Sequence, residues 1–510
     1  MRVVSAAESA ARDRAAIAAG IPSRALMRVA GTAAAGEIAR RCGDMLSRGV
    51  AIYAGPGNNG GDAWVVAAAL AASGVAVRVT AVGDSRTADA MAERASAESL
   101  IGPPGPTPGR EAIVIDGLLG TGATGAPRGE IAQAIAEIAE ARRQGATVVA
   151  LDVPSGVDAT TGSADGAVRA DLTLTFGTLK RGLTVARGYA GAIVVLDIGL
   201  GVHDDGGDRA PTLIDAAFVG ANVPPIAADA NKGTRRRLAI VAGAEGMVGA
   251  ALLAARGALA SGIGLVRFFV APSNVAVVQT SAFESLAHPW PADDATVHRD
   301  IDEWADAVLL GPGLGGGTDA RALVDRVLRH TRLPIVVDAD GLNAFAGRAD
   351  ELGRMLGGRP AIITPHPGEF ARLVGASIDD VLAQRFEIGQ TLATRLGAAV
   401  LLKGVPTIVS SADATRMVSA TGSPVLAVGG SGDLLAGIVS TLLAQTGDAL
   451  VSASCGAWVH GRAAELAGAG RVRGVTLDDV VRALPDAWER GATDDRYPVL
   501  ASLPPVGDAG

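Results

Sequence analysis

Two short stretches, far apart in the chain, place glycines beside polar residues in a way that suits an anion or a nucleotide. The first, Gly55-Pro-Gly-Asn-Asn-Gly-Gly-Asp62, follows the β-branched run Val50–Ala54 and precedes an alanine-rich segment. Glycines let backbone amides approach a phosphate, and a helix opening on such a loop adds bare N–H groups and the positive end of its dipole. Asn58 and Asn59 are two of only six asparagines in the chain. The same run would also serve as a tight turn, because Asn tolerates left-handed backbone. Two further strand ends carry carboxylates. Asp116 closes the strand in "AIVIDGLLGTGATGAP" and is followed by a second glycine loop; Asp152 closes the strand in "VVALDVPSG" and is followed by Ser155. Asn59, Asp116 and Ser155 are hard oxygen donors suited to a cation. Each aspartate would equally suit the N-cap of a following helix.

The second half uses the device with other chemistry. Gly429-Gly-Ser-Gly-Asp433 leads into the helical segment Leu434–Gln445. Its amides form an anion hole, and Asp433 beside them is placed to take a hydroxyl proton as a phosphoryl group arrives. The dipole at a helix start is expected to keep Asp433 ionised; an ordinary N-cap is the alternative. Other strand ends converge: "VVDADGLNAF" presents Asp338, Asp340 and Asn343, "IITPHPGEF" presents His366 and Glu369, and "LLKGVPT" presents Lys403 and Gly404. Asp340 and Glu369 would also serve as helix-start charges. A fourth glycine loop, "GPGLGGGTD", spans Gly311–Asp319. No GxxxxGK[ST] occurs, so this is no P-loop enzyme.

These residues need a scaffold, and the chain of 510 residues has length for about two to four domains. Short apolar runs alternate with Ala/Leu-rich stretches. Strands are predicted at Val50–Ala54, Val75–Thr80, Ala112–Asp116, Thr147–Leu151, Leu172–Phe176 and Ile193–Asp197. A second set covers Leu238–Ala242, Leu265–Val270, Ala307–Leu310, Ile335–Asp338, Ala361–Thr364, Ala399–Leu402 and Thr407–Ser410, with helices such as Ile131–Arg142 between strands. Unalternated strands between helices mean α/β domains with mostly parallel sheets covered on both faces. The weakly periodic stretch His203–Asn231 marks a boundary near Ala217, giving domains 1–217 and 218–510; the tail Tyr497–Gly510 is expected to fray. Ligands of such sheets sit beyond the carboxyl ends of the strands, which is where Asp116, Asp152, Asp338, His366 and Lys403 fall.

Composition excludes several classes. Net charge is -8 and aromatics make up 3%, against nucleic-acid binding by charge or base stacking. The longest apolar run, Ala63–Val77, is too short and too interrupted for a membrane span. The two cysteines, Cys42 and Cys455, form no CxxC, and Met1–Ala10 carries charge where a signal peptide would be apolar, so a cytoplasmic chain is expected. Lysine is nearly absent: Lys180, Lys232 and Lys403 are the only three, and each lies in a motif segment, "FGTLKRGL", "NKG" and "LLKGVPT". An ammonium retained amid so many arginines suggests a tight site where a planar guanidinium fails.

Residues 1–205, from "LMRVAG" at Leu26–Gly31 through "FGTLKRGL" at Phe176–Leu183, resemble the NAD(P)H-hydrate epimerase family. The resemblance implies a Rossmann-like α/β/α domain. It implies a hydrate site lined by Asn58, Asn59, Gly60, Gly61, Asp62, Gly120, Thr121, Gly122, Ala123, Thr124, Gly125, Ala126 and Asp152, with potassium at Asn59, Asp116 and Ser155. Ala63 stands where the family usually has Gly, and Arg28 where it has an acidic residue. About residues 225–490 resemble the ribokinase-like superfamily, and more closely the ADP/ATP-dependent NAD(P)H-hydrate dehydratases: "NKG", "GMVGAALLA", "GPGLG", "DADGLN", "TPHPGE", "KG" and "GSGDLLAG" occur in the family's order. This implies a second three-layer α/β/α domain. It implies hydrate contacts from Ala250, Gly313, His366 and Asp433, and nucleotide contacts from Lys403, Gly404, Val405, Pro406, Thr407 and Gly432. Glu245 replaces a commoner small polar residue.

Together the resemblances imply repair of hydrated NADH and NADPH. The first domain would interconvert the R and S epimers, with Asp152 shuttling protons. The second would phosphorylate the S-hydroxyl with Asp433 as base, phosphate then leaving, using ADP or ATP with Mg2+ and ADP preferred. A homo-oligomer acting on small molecules, with neither nucleic acid nor membrane as partner, is expected. The rival is a ribokinase-like kinase of a small alcohol or vitamin precursor, carrying a non-catalytic nucleotide-binding first domain.

Overall fold

A computed structural model describes residues 1–101, 111–200, 209–488 and 496–507. The "HDDGGD" part of the expected boundary lies outside these residues. The chain divides into two compact units, Met1–Ala210 with Ala492–Gly510, and Pro211–Gly491.

The first unit is built on a seven-stranded sheet. In spatial order its strands are Val499–Leu503, Ala192–Leu196, Leu172–Phe176, Thr147–Leu151, Ile113–Gly117, Val50–Ala54 and Val77–Ala81. All neighbours are parallel except the first pair. The chain runs from Val50–Ala54 outward to Val77–Ala81 and then back to its other side at Ile113–Gly117. That reversal opens a crevice at the carboxyl ends of these strands, and the loops from Gly55 and from Leu118 leave there. Apolar side chains cover both faces of the sheet.

The tail departs from expectation. Val499–Leu503 pairs antiparallel with Ala192–Leu196 and buries Val499 and Leu503. Pro498 and Pro504 bracket a strand of only five residues, which is why the stretch reads as frayed. Residues 492–510 therefore group with the first unit, whereas the sequence carried the second domain through to Gly510.

The second unit holds a ten-stranded sheet. Seven consecutive strands, Leu286–Pro289, Leu265–Val270, Arg237–Val241, Ala307–Leu310, Ile335–Val337, Ala361–Ile363 and Ala399–Leu402, are parallel. Thr407–Ser410 then runs antiparallel to both its neighbours, and Arg416–Ser419 and Thr212–Leu213 complete the edge. The reversal of strand order lies between Arg237–Val241 and Ala307–Leu310, and the loops after these strands join there: Gly243 N–H donates to Pro312 O at 3.0 Å and Ala244 N–H to Gly313 O at 2.7 Å. Leu286–Pro289, Arg416–Ser419 and Thr212–Leu213 are not among the predicted strands. Leu286–Pro289 and Thr212–Leu213 are the edges of the sheet and Arg416–Ser419 lies next to one of them; all three are too brief for a periodic signal.

The aromatic-poor core is filled mainly by Ala, Val, Leu and Ile. Small residues also let helices approach closely. Val248–Ala260 crosses Ser431–Thr446 where a Cβ on Gly257 would collide with the Leu434 carbonyl, and one on Gly437 with the Ala254 carbonyl. No helix of the described residues is long and apolar enough to cross a membrane.

Candidate active sites

In the first unit, the helix Asn58–Ala72 starts directly on the glycine loop, and its N-cap Gly57 contributes no side-chain cap. The first amides of the helix are thus left for a ligand. A Cβ on Gly60 would strike the Gly55 carbonyl, so only glycine closes this turn. The loop opens on a cavity of about 850 Å³. Asn58, Asn59, Asp62, Gly120, Thr121, Gly122, Ala123, Thr124 and Asp152 all line it. Gly60, Gly61, Gly125 and Ala126 are not among its lining residues.

Asp116 and Asp152 cap no helix. Asp116 is fully buried and accepts from Ser155 N at 2.8 Å, Ser155 Oγ at 2.6 Å and Leu118 N at 3.2 Å. Burial outweighs these bonds and pushes its pKa up to about 6. Asn59 donates to Leu119 O at 2.9 Å, while its Oδ1 is buried with no partner. Asp152 sits in left-handed backbone at φ 62°. One of its oxygens accepts from Lys180 Nζ at 2.6 Å and Thr175 Oγ1 at 3.4 Å; the other accepts from Thr121 N at 3.2 Å and from the Thr121 hydroxyl. Burial would raise this carboxyl, but the Lys180 ammonium and the Thr121 donors hold it below the usual range. Lys180 is 1% exposed and spends its other hydrogens on Thr175 Oγ1 and Phe176 O.

Two groups were missed. Lys180 is absent from the expected site, although the scarcity of lysine was its signal. Asp13, on the helix Ala6–Ala18, also lines the cavity, and no motif or strand end marked it.

In the second unit, the helix Ser431–Thr446 begins after Gly430, which has φ 92° and offers no side-chain cap. Asp433 lies in the first turn, not at the N-cap. Burial, with Asp338 and Glu369 nearby, raises the Asp433 pKa to about 6, and Lys403 offsets part of this, which leaves the carboxyl mainly ionised at pH 7. Lys403 Nζ pairs with Asp338 Oδ1 at 2.9 Å and lies 3.8 Å from Glu369. Asp338 also accepts from Thr364 Oγ1 at 2.8 Å. The Lys403 ammonium thus lies beside a buried carboxylate, and a Cβ on Gly432 would come within 3.3 Å of it. In the loop that follows, Thr407 Oγ1 donates to Gly404 O at 3.1 Å and Val405 is 60% exposed.

His366 is the N-cap of the helix Pro367–Val374: its Nδ1 accepts from Gly368 N at 3.0 Å, and Glu369 closes a capping box onto His366 N at 2.9 Å. Nδ1 is therefore the acceptor, leaving Nε2 as the donor of a neutral ring. Asp340 accepts from Gly315 N at 2.8 Å and Asn343 Nδ2 at 3.1 Å, tying the Gly311–Asp319 loop to the next strand end. Gly313 is held against Met247 and Ala250. Ala250 and Gly313 thus share one wall, with Asp433, Lys403, Asp338 and Glu369 grouped electrostatically beside Asp340. Among the described residues no three His, Cys, Asp or Glu side chains are arranged to hold a metal ion.

The NAD(P)H-hydrate dehydratase family matches residues 238–486, and the family described as YjeF-related protein N-terminus matches residues 23–182. A bifunctional NAD(P)H-hydrate repair enzyme Nnr from Coxiella burnetii is 34% identical over 479 residues, covering 92% of this chain and 95% of that protein. The enzyme of the same name from Escherichia coli is 34% identical over 458 residues, covering 88% and 86%. Among solved structures, an ADP/ATP-dependent NAD(P)H-hydrate dehydratase from Bacillus subtilis, co-crystallised with ATP/Mg2+, is 28% identical, covers 55% of this chain and 98% of that chain, and has a TM-score of 0.49.

Proposed function

The chain belongs to the bifunctional NAD(P)H-hydrate repair enzymes, and from that premise we propose how its two units divide the work. The unit built on Gly55–Asp62 interconverts the R and S hydrates; the unit built on Gly429–Asp433 dehydrates the S epimer at the expense of ADP or ATP.

Hydroxide is a poor leaving group and phosphate a good one, so dehydration is easier once the hydroxyl has been phosphorylated. The observation that carries this assignment is Asp433 in the first turn of an uncapped helix. Its carboxylate accepts the proton of the S-hydroxyl, while the amides of Gly430 and Gly432 stabilise charge on the phosphoryl group in flight. Phosphate then leaves carbon 6 as a proton leaves carbon 5, and the ring double bond returns. His366, Gly313 and Ala250 orient the hydrate. Lys403 and Asp338 set the local field, and Gly404–Thr407 and Gly432 border the nucleotide. Magnesium would arrive with the nucleotide, held mainly by phosphates and water, as is usual for this ion.

Potassium fits the first unit. Asn59 Oδ1 is a buried acceptor without a donor, Asp116 is a buried carboxylate short of positive charge, and Ser155 Oγ adjoins it. Bound there, the ion would supply the charge that keeps Asp116 ionised. Asn59, Asp116 and Ser155 then brace the Leu118–Thr121 turn that borders the hydrate.

The test is S-hydrate with ADP or ATP, side by side. Return of dihydronicotinamide absorbance with one phosphate released per turnover is expected. A phosphorylated product that accumulates would instead mark a small-alcohol kinase.

A further inference from the structure

Epimerisation needs a group that gives and takes protons at the substrate, and the cavity of the first unit holds four carboxyls: Asp13, Asp62, Asp89 and Asp152. Asp89 already accepts from Ser23 Oγ at 2.5 Å. They differ in what they already do. Asp152 has both oxygens occupied, by Lys180, Thr175 and the amide and hydroxyl of Thr121. A carboxylate so saturated has little capacity left for a substrate proton, and its left-handed backbone fixes it further. Asp62 and Asp13 accept no hydrogen bond and form no ion pair among the described residues, and both open to the cavity from different helices, Asn58–Ala72 and Ala6–Ala18.

We propose that Asp62 and Asp13 are the proton-transfer pair of the epimerase, and that Asp152 with Lys180 is a fixed ion pair that positions the Gly120–Thr121 loop. This rests on the epimerase reading of the first unit, and it moves the proton shuttle away from Asp152. In the R-to-S direction, neutral Asp62 donates its proton to the C6 hydroxyl. The ring nitrogen lone pair forms a C=N bond as the C6–O bond breaks, and water departs. A water then adds to the other face of C6, its excess proton passes to ionised Asp13, and the electron pair returns to nitrogen. The S-to-R direction reverses the roles, and proton exchange with water resets the pair. The surroundings support one neutral member: burial and the charges of Asp152 and Asp13 raise Asp62 well above the carboxylate range, with Lys180 opposing. Asp13 is raised less, by burial and Asp152, against Lys180 and Arg14.

The test uses the full chain with R-hydrate, ADP and magnesium, with S-hydrate dehydration in the same preparations as an internal control. Asp62→Asn and Asp13→Asn are each expected to slow epimerisation on the order of 10²–10⁴-fold, with KM for the hydrate little changed. Asp62→Glu, which keeps a carboxyl, is expected to recover part of the loss. The intact chain is expected to incorporate ¹⁸O from labelled water at the rate of epimerisation. If Asp62→Asn and Asp13→Asn epimerise within a few-fold of the intact chain while Asp152→Asn does not, Asp152 is the shuttle and the proposal fails. An intact chain no faster than spontaneous epimerisation would overturn the epimerase reading itself.

Discussion

Burial works on the two strand-end aspartates, Asp152 and Asp338, in the same way: each is partnered by one of the chain's few lysines. Lys180 meets Asp152 and Lys403 meets Asp338, both deep in a unit, while Lys232 is exposed. Two of the three lysines thus have a physical reason to stay lysine, since a compact ammonium reaches several converging acceptors where a planar guanidinium does not. Lys180→Met should leave Asp152 buried with only its neutral donors, costing about 3–5 kcal/mol; a urea titration resolving the first unit's transition would read it. Asp433 titrates near 6 because desolvation and its acidic neighbours prevail over Lys403. A base must be ionised, so dehydration should fall as pH drops through about 6, where an unperturbed aspartate would hold the rate to about 4. Asp433→Asn should remove most of the rate, on the order of 10²–10⁴-fold, with nucleotide binding by calorimetry retained. Residues at strand ends were legible because an open sheet puts its ligands there. Asp13 was not, because a lone aspartate on a surface-patterned helix carries no signal until the fold turns it toward the cavity.

At the level of elements, most of the predicted strands recur within a residue or two, since fully buried parallel strands announce themselves as unbroken apolar runs between helices. What failed to show were edge strands and the tail, where pairing partners and not local pattern decide the structure. The helix start at Ser431 owes its position to packing that the sequence hinted at only through glycine. Gly257 and Gly437 let Val248–Ala260 and Ser431–Thr446 meet backbone to backbone, which brings Ala250 and Asp433 to one region. Gly437→Ala places a methyl on the Ala254 carbonyl and should destabilise the second unit by about 1–3 kcal/mol. Dehydration should weaken with it, while R/S interconversion by the first unit persists. A chain that melts and turns over like the original would contradict this account of the crossing.

On the scale of the molecule, one chain couples a reaction that consumes a single epimer to one that replenishes it. The first unit is discontinuous: its outer strand comes from the far end of the sequence and pairs along Ala192–Leu196. Removing residues 489–510 should therefore lower the melting transition of the epimerase unit while leaving S-hydrate dehydration largely intact, a separation that calorimetry and the two assays would reveal. The most direct measurement of the whole account is exhaustive conversion of a mixture of R- and S-hydrate with ADP, magnesium and potassium. Reduced nicotinamide is expected from both epimers, faster than spontaneous epimerisation allows, with one phosphate per molecule repaired. A rapid phase that stops at the S fraction, or a phosphorylated hydrate that persists, would contradict it.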